Sequence, residues 1–360
     1  MTKSTRHLLI PAILGSFALI SLITLKSIAP DLASAQLIFW LISFAVFFIA
    51  SKVKISFLKK YYYIAYGALN FLLVLTLITS SITRGTARWI KFGDLFAIQP
   101  SQLAIPIVGL FLAIFASQNK LDNLINIGKF LAISLIPAVL ILVEPDLGTT
   151  IHFLLSVGII LFLSEIKSKY LWTLFSIGIV GAILAWTLVL RPYQKTRITS
   201  FISSQSNQQS SENYNSYQSQ IAVGSGELYG KGLGQGSQSH LRFLPERHTD
   251  FIFASFAEEW GFIGGTILII LYFILSVFLI YRATYTKNKF EYYFLIMTVT
   301  AITFQVFVNI GMNTGLLPIT GVTLPFISYG GSSLVSLSLM MGVSQNIISQ
   351  QKKKITMDFK

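Results

Sequence analysis

Runs of about twenty apolar residues divide this chain, and they constrain its fold more than any other feature. A helix rises 1.5 Å per residue, so about 20 apolar residues cross the roughly 30 Å hydrocarbon core of a bilayer. Such runs recur at about 8–28, 34–51, 61–80, 101–117, 128–144, 148–165, 169–190, 260–282, 292–312 and 328–349. They predict an all-α polytopic membrane protein of about ten transmembrane helices, read as a single transmembrane domain over 1–360. Composition agrees, since 53% of the residues are hydrophobic and only 11% charged, where a soluble domain carries roughly 25% charged residues. The chain has no cysteine, which excludes disulfides, thiolate nucleophiles and cysteine-ligated zinc or iron–sulfur sites. Lys3 and Arg6, the first run and Ala33-Ser34-Ala35 imitate a secretory signal. The run is long for a signal and a second span follows at once, so it is read as a retained helix.

The net charge of +13 is a matter of position rather than of nucleic-acid binding. Ten spans put both termini on one side, and alternate connections then sort the charges. One side takes 17 of the 27 basic residues, among them Lys52, Lys59, Lys60, Lys287 and Lys352–Lys354, with only Asp122, Glu165, Glu291 and Asp358 as acids. The positive-inside rule makes that side, with both termini, cytoplasmic. The other side interleaves ten acids with ten bases, as a surface handling a charged, hydroxyl-rich ligand would. The largest connection, about 191–259, is a large extracytoplasmic loop between the seventh and eighth spans. Its Ser/Gln/Asn tract from Ser203 to Ser219 reads as a flexible stretch with little structure. The glycines from Gly224 to Gly236 permit tight turns and close approach of backbone.

Four constellations on that side are chemically suggestive, and each has a plainer reading. Leu244-Pro-Glu-Arg-His-Thr-Asp250-Phe251 precedes an apolar run. Asp250, with Glu246 and His248 nearby, is either a general base or a carboxylate satisfying a helix N-terminus. Arg88, Trp89 and Lys91, ahead of Gln99-Pro100-Ser101, either hold phosphate and stack on a sugar or form an interfacial aromatic and basic belt. Glu144 and Asp146, bracketing Pro145, either bind a cation or basic group, or serve structure, with Asp146 capping the next helix. The segment Leu324–Ser333 is expected to open the last helix, its glycines serving packing or anion binding. His152 lies inside a span with no partner at metal-ligand spacing, so an interhelical hydrogen bond is expected. Gly226–Gly232 misses a P-loop by one residue and lacks the Ser/Thr after Lys231.

No cofactor is demanded by any spacing. A divalent cation, Mg²⁺ or Mn²⁺, is the one candidate, with Glu144, Asp146 and Glu246 as available oxygen ligands. An enzyme on the outer face has no supply of nucleotide, so its donor must arrive carrying its own leaving group. A lipid-linked sugar pyrophosphate does so, and basic residues there, Arg191, Arg197 or Lys231, can neutralise the departing pyrophosphate.

These residues resemble the shape, elongation, division and sporulation (SEDS) family of peptidoglycan polymerases. The matching segments are Gly85–Gly93, Gln99–Ser101, Glu144–Thr149, Tyr193–Arg197, Ser219–Gly226, Gly230–Gly232, Leu244–Phe251 and Leu324–Ser333, in the family's order across most of the chain. The resemblance implies ten transmembrane helices and inverting glycosyl transfer on lipid II at the outer face. It implies that Asp250 is the essential aspartate and Trp89 a functionally important tryptophan. It also implies a class B penicillin-binding protein and elongation-complex membrane proteins as partners, and no nucleic acid. A lipid II flippase or a non-catalytic scaffold for the penicillin-binding protein are the alternatives. Two departures stand out. Gln102 and Ile105 occupy positions where the family has Glu and Lys, and the loop after Arg197 lacks the usual Asp-Pro turn.

Overall fold

The computed structural model describes residues 8–79, 88–92, 96–202 and 211–357. Expectations that fall on Lys3, Arg6, Gly85, Gly93 and 203–210 lie outside the described residues. The chain is a multi-pass membrane protein built of α-helices. In order they are α1 (Leu9–Ile28), α2 (Pro30–Lys52), α3 (Ile55–Thr79), α4 (Pro100–Gln118), α5 (Leu124–Val143), α6 (Leu147–Leu163), α7 (Ser168–Leu184), α8 (Pro192–Ile202), α9 (Ser211–Ser225), α10 (Ser237–His240), α11 (Ile252–Thr284), α12 (Lys289–Asn313) and α13 (Gly331–Met357). A short antiparallel hairpin, β1 (Ile90–Phe92) and β2 (Phe96–Ile98), pairs Ile90 with Ile98 ahead of α4. Among the described residues eight helices are long and apolar enough to cross a membrane, and α6 is a shorter apolar helix.

Each expected apolar run lies in a helix, but several bounds move, and the reasons are physical. The last helix begins at Gly331 rather than 328, because the Leu324–Gly330 stretch is held as a loop by contacts described below. The run expected at 260 begins at Ile252 and continues to Thr284, with a break at Gly261, whose φ of 67° and ψ of −168° are not helical. The tract expected to be unstructured is helical from Ser211 onward, as α9. Its helix is fixed by tertiary contacts that its polar composition does not advertise.

The helices form two compact units. One comprises residues 1–52, 199–279 and 302–360. Its apolar centre stacks Phe17 on Tyr272 at 4.6 Å and on Phe326 at 5.5 Å. There α13 lies close on α2, because Gly342 leaves room for Phe47 and Ala50, where any side chain would collide. The second unit comprises residues 53–198 and 280–301. Here Gly109 of α4 receives the Met297 side chain. His152, buried in α6, bonds the Ala301 carbonyl at 3.0 Å, the interhelical role expected of it. Helix α7 buries none of its residues and ends in a π-helical turn, Ala185–Val189.

The break in α11 is the device that organises the first unit. Interrupting a helix strands carbonyls on one side and N–H groups on the other, and in a membrane protein each must find a partner. Residues 227–232 supply four of those partners. Lys231 and Gly232 give their N–H groups to the carbonyls of Glu258 and Glu259 (2.9 and 3.0 Å), and Phe262 and Ile263 give theirs to Glu227 and Leu228 (2.8 and 3.1 Å). The approach is so close that a Cβ at Gly226, Gly230 or Gly261 would run into the facing backbone, which explains the glycines there.

Candidate active site

The turn before α11 is pinned at both ends by apolar side chains. Leu244 and Phe251 sink into a small core with Ala222 of α9 and Ala254 of α11. The polar residues between them, Glu246 to Asp250, stay partly exposed. Glu246 has a positive φ of 49°, and its carbonyl receives the N–H groups of Thr249 and Phe251 (3.1 and 3.3 Å). The Glu246 carboxylate accepts from the Thr249 hydroxyl at 3.1 Å and lies 3.8 Å from His248 Nε2.

Three other segments clamp this turn. Tyr329 gives its N–H to the His248 carbonyl at 2.9 Å and sets its ring edge-on to the imidazole, centroids 5.8 Å apart. Ser328 Oγ donates to the Thr249 carbonyl at 2.8 Å. Arg247 Nε donates to the Ile28 carbonyl at the end of α1, at 3.1 Å. Burial, then the nearby Arg242 cation, lower the proton affinity of Arg247, though a guanidinium keeps its charge. From α12, Asn309 and Asn313 each donate to the Asp250 carbonyl at 3.0 Å. An oxygen with two lone pairs is thereby satisfied twice, and the backbone of Asp250 is fixed while its residue remains partly exposed. A Cβ added at Gly321 would lie 3.7 Å from Asp250 Oδ2.

Glu258 and Glu259 are buried in the same unit. Glu258 accepts from Lys231 Nζ (3.0 Å), Ser237 Oγ (3.3 Å), Gln238 N (2.9 Å), Ser239 N (3.0 Å) and Ser239 Oγ (2.9 Å). Glu259 accepts from Ser27 Oγ at 2.5 Å, Gly234 N at 3.1 Å and His240 Nε2 at 2.9 Å. These two carboxylates staple the glycine-rich stretch onto α11. Lys231, expected to be available for pyrophosphate, has its ammonium committed to this staple.

In the second unit a separate cluster forms around the α5–α6 turn. Arg88 donates from Nε to the Glu144 carbonyl at 3.0 Å and from a terminal nitrogen to the Pro145 carbonyl, and its Nη1 lies 3.5 Å from Asp146 Oδ2. Gln99 Nε2 donates to the same Oδ2 at 3.0 Å. Asp146 Oδ1 caps α6 by accepting from Thr149 N at 3.2 Å, so both the capping and the base-holding readings of Asp146 hold. Tyr193 and Gln194 of α8 add donors to the Pro145 carbonyl, each at 3.2 Å. The Glu144 carboxylate is fully buried, and neither oxygen has a hydrogen-bond partner. Burial, then the Asp146 charge, push it from 4.5 up to about 8, against the pull of Arg88.

The remaining expected residues are placed as follows. Trp89 is partly exposed beside Arg88. Lys91 is in β1 and its side chain lies outside the described residues. Ser101 is buried in the first turn of α4, and Ile105 is buried one turn on. Arg191 is exposed and gives its backbone N–H to Gln194. Arg197 sets its guanidinium over the Tyr193 ring at 5.9 Å. Among the described residues no group of three or more His, Cys, Asp or Glu side chains could hold a metal ion. Asp146 already has both oxygens engaged and a guanidinium beside it, a poor setting for a second cation. Sequence reasoning missed Asn309 and Asn313, and it gave Tyr329 and Gln194 no role beyond their place in the Leu324–Ser333 and Tyr193–Arg197 segments. The two asparagines carried a legible signal, since amides four residues apart share one helix face and polar groups within a span are seldom idle.

This fold and turn define a class of polytopic membrane protein, and comparison with known proteins names it. The model of the FtsW, RodA and SpoVE family, described as a cell cycle protein, matches residues 5–353, and the chain belongs to that family. It is 37% identical over 277 residues to the peptidoglycan glycosyltransferase MrdB of Escherichia coli, covering 76% of this chain and 73% of the relative. It is 39% identical over 312 residues to a probable peptidoglycan glycosyltransferase FtsW of Buchnera aphidicola, covering 84% and 80%. Its fold is similar to a chain solved in a study of how a peptidoglycan synthase complex coordinates polymerization and crosslinking, with a TM-score of 0.80 and 26% identity over 95% of this chain and 97% of the other. It is also similar to the Thermus thermophilus rod shape determining protein RodA, with a TM-score of 0.71 and 25% identity over 95% and 96%.

Proposed function

We propose that this chain is a peptidoglycan glycosyltransferase of the RodA type. It polymerises lipid II into glycan strands at the outer face of the cytoplasmic membrane, with ten spans and both termini inside. The observation that carries this reading is the Asp250 turn, with its backbone locked by two buried amides and its residue left partly exposed. A general base must be held in position while remaining reachable.

In the reaction, Asp250 takes the proton from the acceptor's GlcNAc 4-hydroxyl. The oxygen attacks the donor's anomeric carbon from the face opposite the leaving group. The bond from that carbon to the pyrophosphate oxygen breaks, and undecaprenyl pyrophosphate departs with the bonding pair. The configuration at the anomeric carbon inverts, and no nucleotide is consumed. A positioned base contributes about 10²–10⁴-fold, so the rest comes from alignment and from stabilising the leaving anion. A class B penicillin-binding protein is the expected cross-linking partner, within an elongation complex.

A transporter would offer the ends of a discontinuous helix to its substrate. In α11 those ends are taken by residues 227–232, which supports the enzyme over the flippase. The test is reconstitution of the purified protein with its transpeptidase partner and lipid II, scored for glycan strands. The wild type should polymerise and Asp250→Asn should not. Equal polymer from both would remove Asp250 as the base. Lipid II crossing vesicles without polymer would establish transport instead.

A further inference from the structure

A helix extended back through Asp250 would pair the Ala254 N–H with the Asp250 carbonyl, the ordinary bond four residues apart. That bond is replaced. The side-chain amide of Asn313 stands between the two groups, with Oδ1 accepting from Ala254 N at 3.1 Å and Nδ2 donating to the Asp250 carbonyl at 3.0 Å. The first bond of α11 is therefore Ser255 N to the Phe251 carbonyl, at 3.2 Å. The second hydrogen of Asn313 Nδ2 goes to the Asn309 carbonyl at 2.8 Å. Asn309 Nδ2 shares its own hydrogens between the Asp250 and Val322 carbonyls, at 3.0 and 2.8 Å. Both asparagines are fully buried. Ser219 of α9 completes the set, donating to the Asn313 carbonyl at 2.9 Å.

We propose that Asn313, supported by Asn309, is a positioning residue for Asp250, its amide wedged into the place of the first helical hydrogen bond so that Asp250 is held outside α11. The inference rests on Asp250 being the catalytic base. The wedge sets where the helix begins, and therefore how far the carboxylate stands from the positive end of the helix dipole. Without it, Ala254 can bond Asp250 directly, the helix gains a residue at its start, and the carboxylate swings into the first turn. Asn309 ties the same carbonyl to the 321–324 stretch, which fixes the turn laterally. Amides with every hydrogen used have one arrangement available, which is the property a positioning group needs.

The test is Asn313→Leu, which keeps the shape and removes both bonds, assayed as the full chain with its transpeptidase partner and lipid II. Asn309→Leu is the second variant, since it removes one donor and leaves the wedge in place. Asp250→Asn is run beside them. The expected result for Asn313→Leu is a KM for lipid II within about threefold of wild type and a kcat about 100-fold lower, the scale of a small misplacement of a reacting group. The acid limb of its kcat–pH profile should move to lower pH, because a helix N-terminus favours the carboxylate. Asn309→Leu should fall about tenfold in kcat, with the same KM. An inactive Asp250→Asn beside an Asn313→Leu with unchanged kcat overturns the wedge alone. So does a loss of kcat that scales with the folded fraction while the acid limb stays in place. A fully active Asp250→Asn overturns the base assignment, and the wedge with it.

Discussion

The guanidinium of Arg88 lies 3.5 Å from Asp146 Oδ2 and spends its other donors on the carbonyls of Glu144 and Pro145. One side chain thus ties three consecutive residues of the α5–α6 turn. Arg88→Ala would take a donor from the Glu144 carbonyl and the opposite charge from Asp146, although Tyr193 and Gln194 still bond the Pro145 carbonyl and Gln99 and Thr149 still bond Asp146. Breaking a largely buried pair costs about 3 kcal/mol. The thermal midpoint in detergent should fall by several degrees. Arg88→Lys should recover less than half of the loss, since an ammonium lacks the planar fork. A normal midpoint with lost polymerisation would assign Arg88 to the substrate.

Glu144 should make stability depend on pH. Its carboxyl is raised from 4.5 to about 8 by burial and by Asp146. Between those values the folded chain holds a proton that the unfolded chain has released, so stability falls as pH rises through that window. Glu144→Gln keeps the shape and removes the titration. Its unfolding midpoint should be flatter across the window, and above about pH 8 it should exceed that of the wild type. Parallel midpoint curves for the two proteins would refute the buried-proton account.

Gly226, Gly230 and Gly261 bring the 226–232 stretch against the broken α11 with no room for a Cβ. Gly230 and Gly261 also have positive φ, 82° and 67°. Gly261→Ala should cost about 2–3 kcal/mol from backbone strain and forced separation. Gly234 also has positive φ but open space around it, so Gly234→Ala should cost about 1 kcal/mol. Unfolding of the two variants in detergent checks the order, and a reversed order would count against the close-packed break.

Lys231 and Glu258 should couple in stability rather than in substrate affinity. Glu258 is fully buried with donors besides Lys231, so Lys231→Met should cost about 1–2 kcal/mol. Glu258→Ala, which strands all of those donors, should cost about 3–5 kcal/mol. A double-mutant cycle should give a coupling above about 1 kcal/mol, with KM for lipid II little changed. Unaltered stability with a raised KM would return Lys231 to the pyrophosphate.

Much of this protein was written in its hydrophobic pattern. A run of about twenty apolar residues has few folded alternatives to a helix in lipid, so each run appears as a helix. His152 and Asp146 took the structural roles their local surroundings suggested. Asp250 stood out because a carboxylate beside an apolar run must be solvated, paired or used.

The sequence by itself determined the helices, the membrane class and the suspicion that falls on Asp250, since each depends on periodicity, length or the cost of burying charge. Only the tertiary structure decided that α11 breaks at Gly261, that Lys231 serves Glu258, that α9 is helical, and that Asn313 ends the helix short of Asp250. Each of these depends on which distant group satisfies a given N–H or carbonyl. The sequence shows two amides on one face of a span, but not that their partner is Asp250, 59 and 63 residues away, because a buried amide reads the same in sequence whichever neighbour it meets.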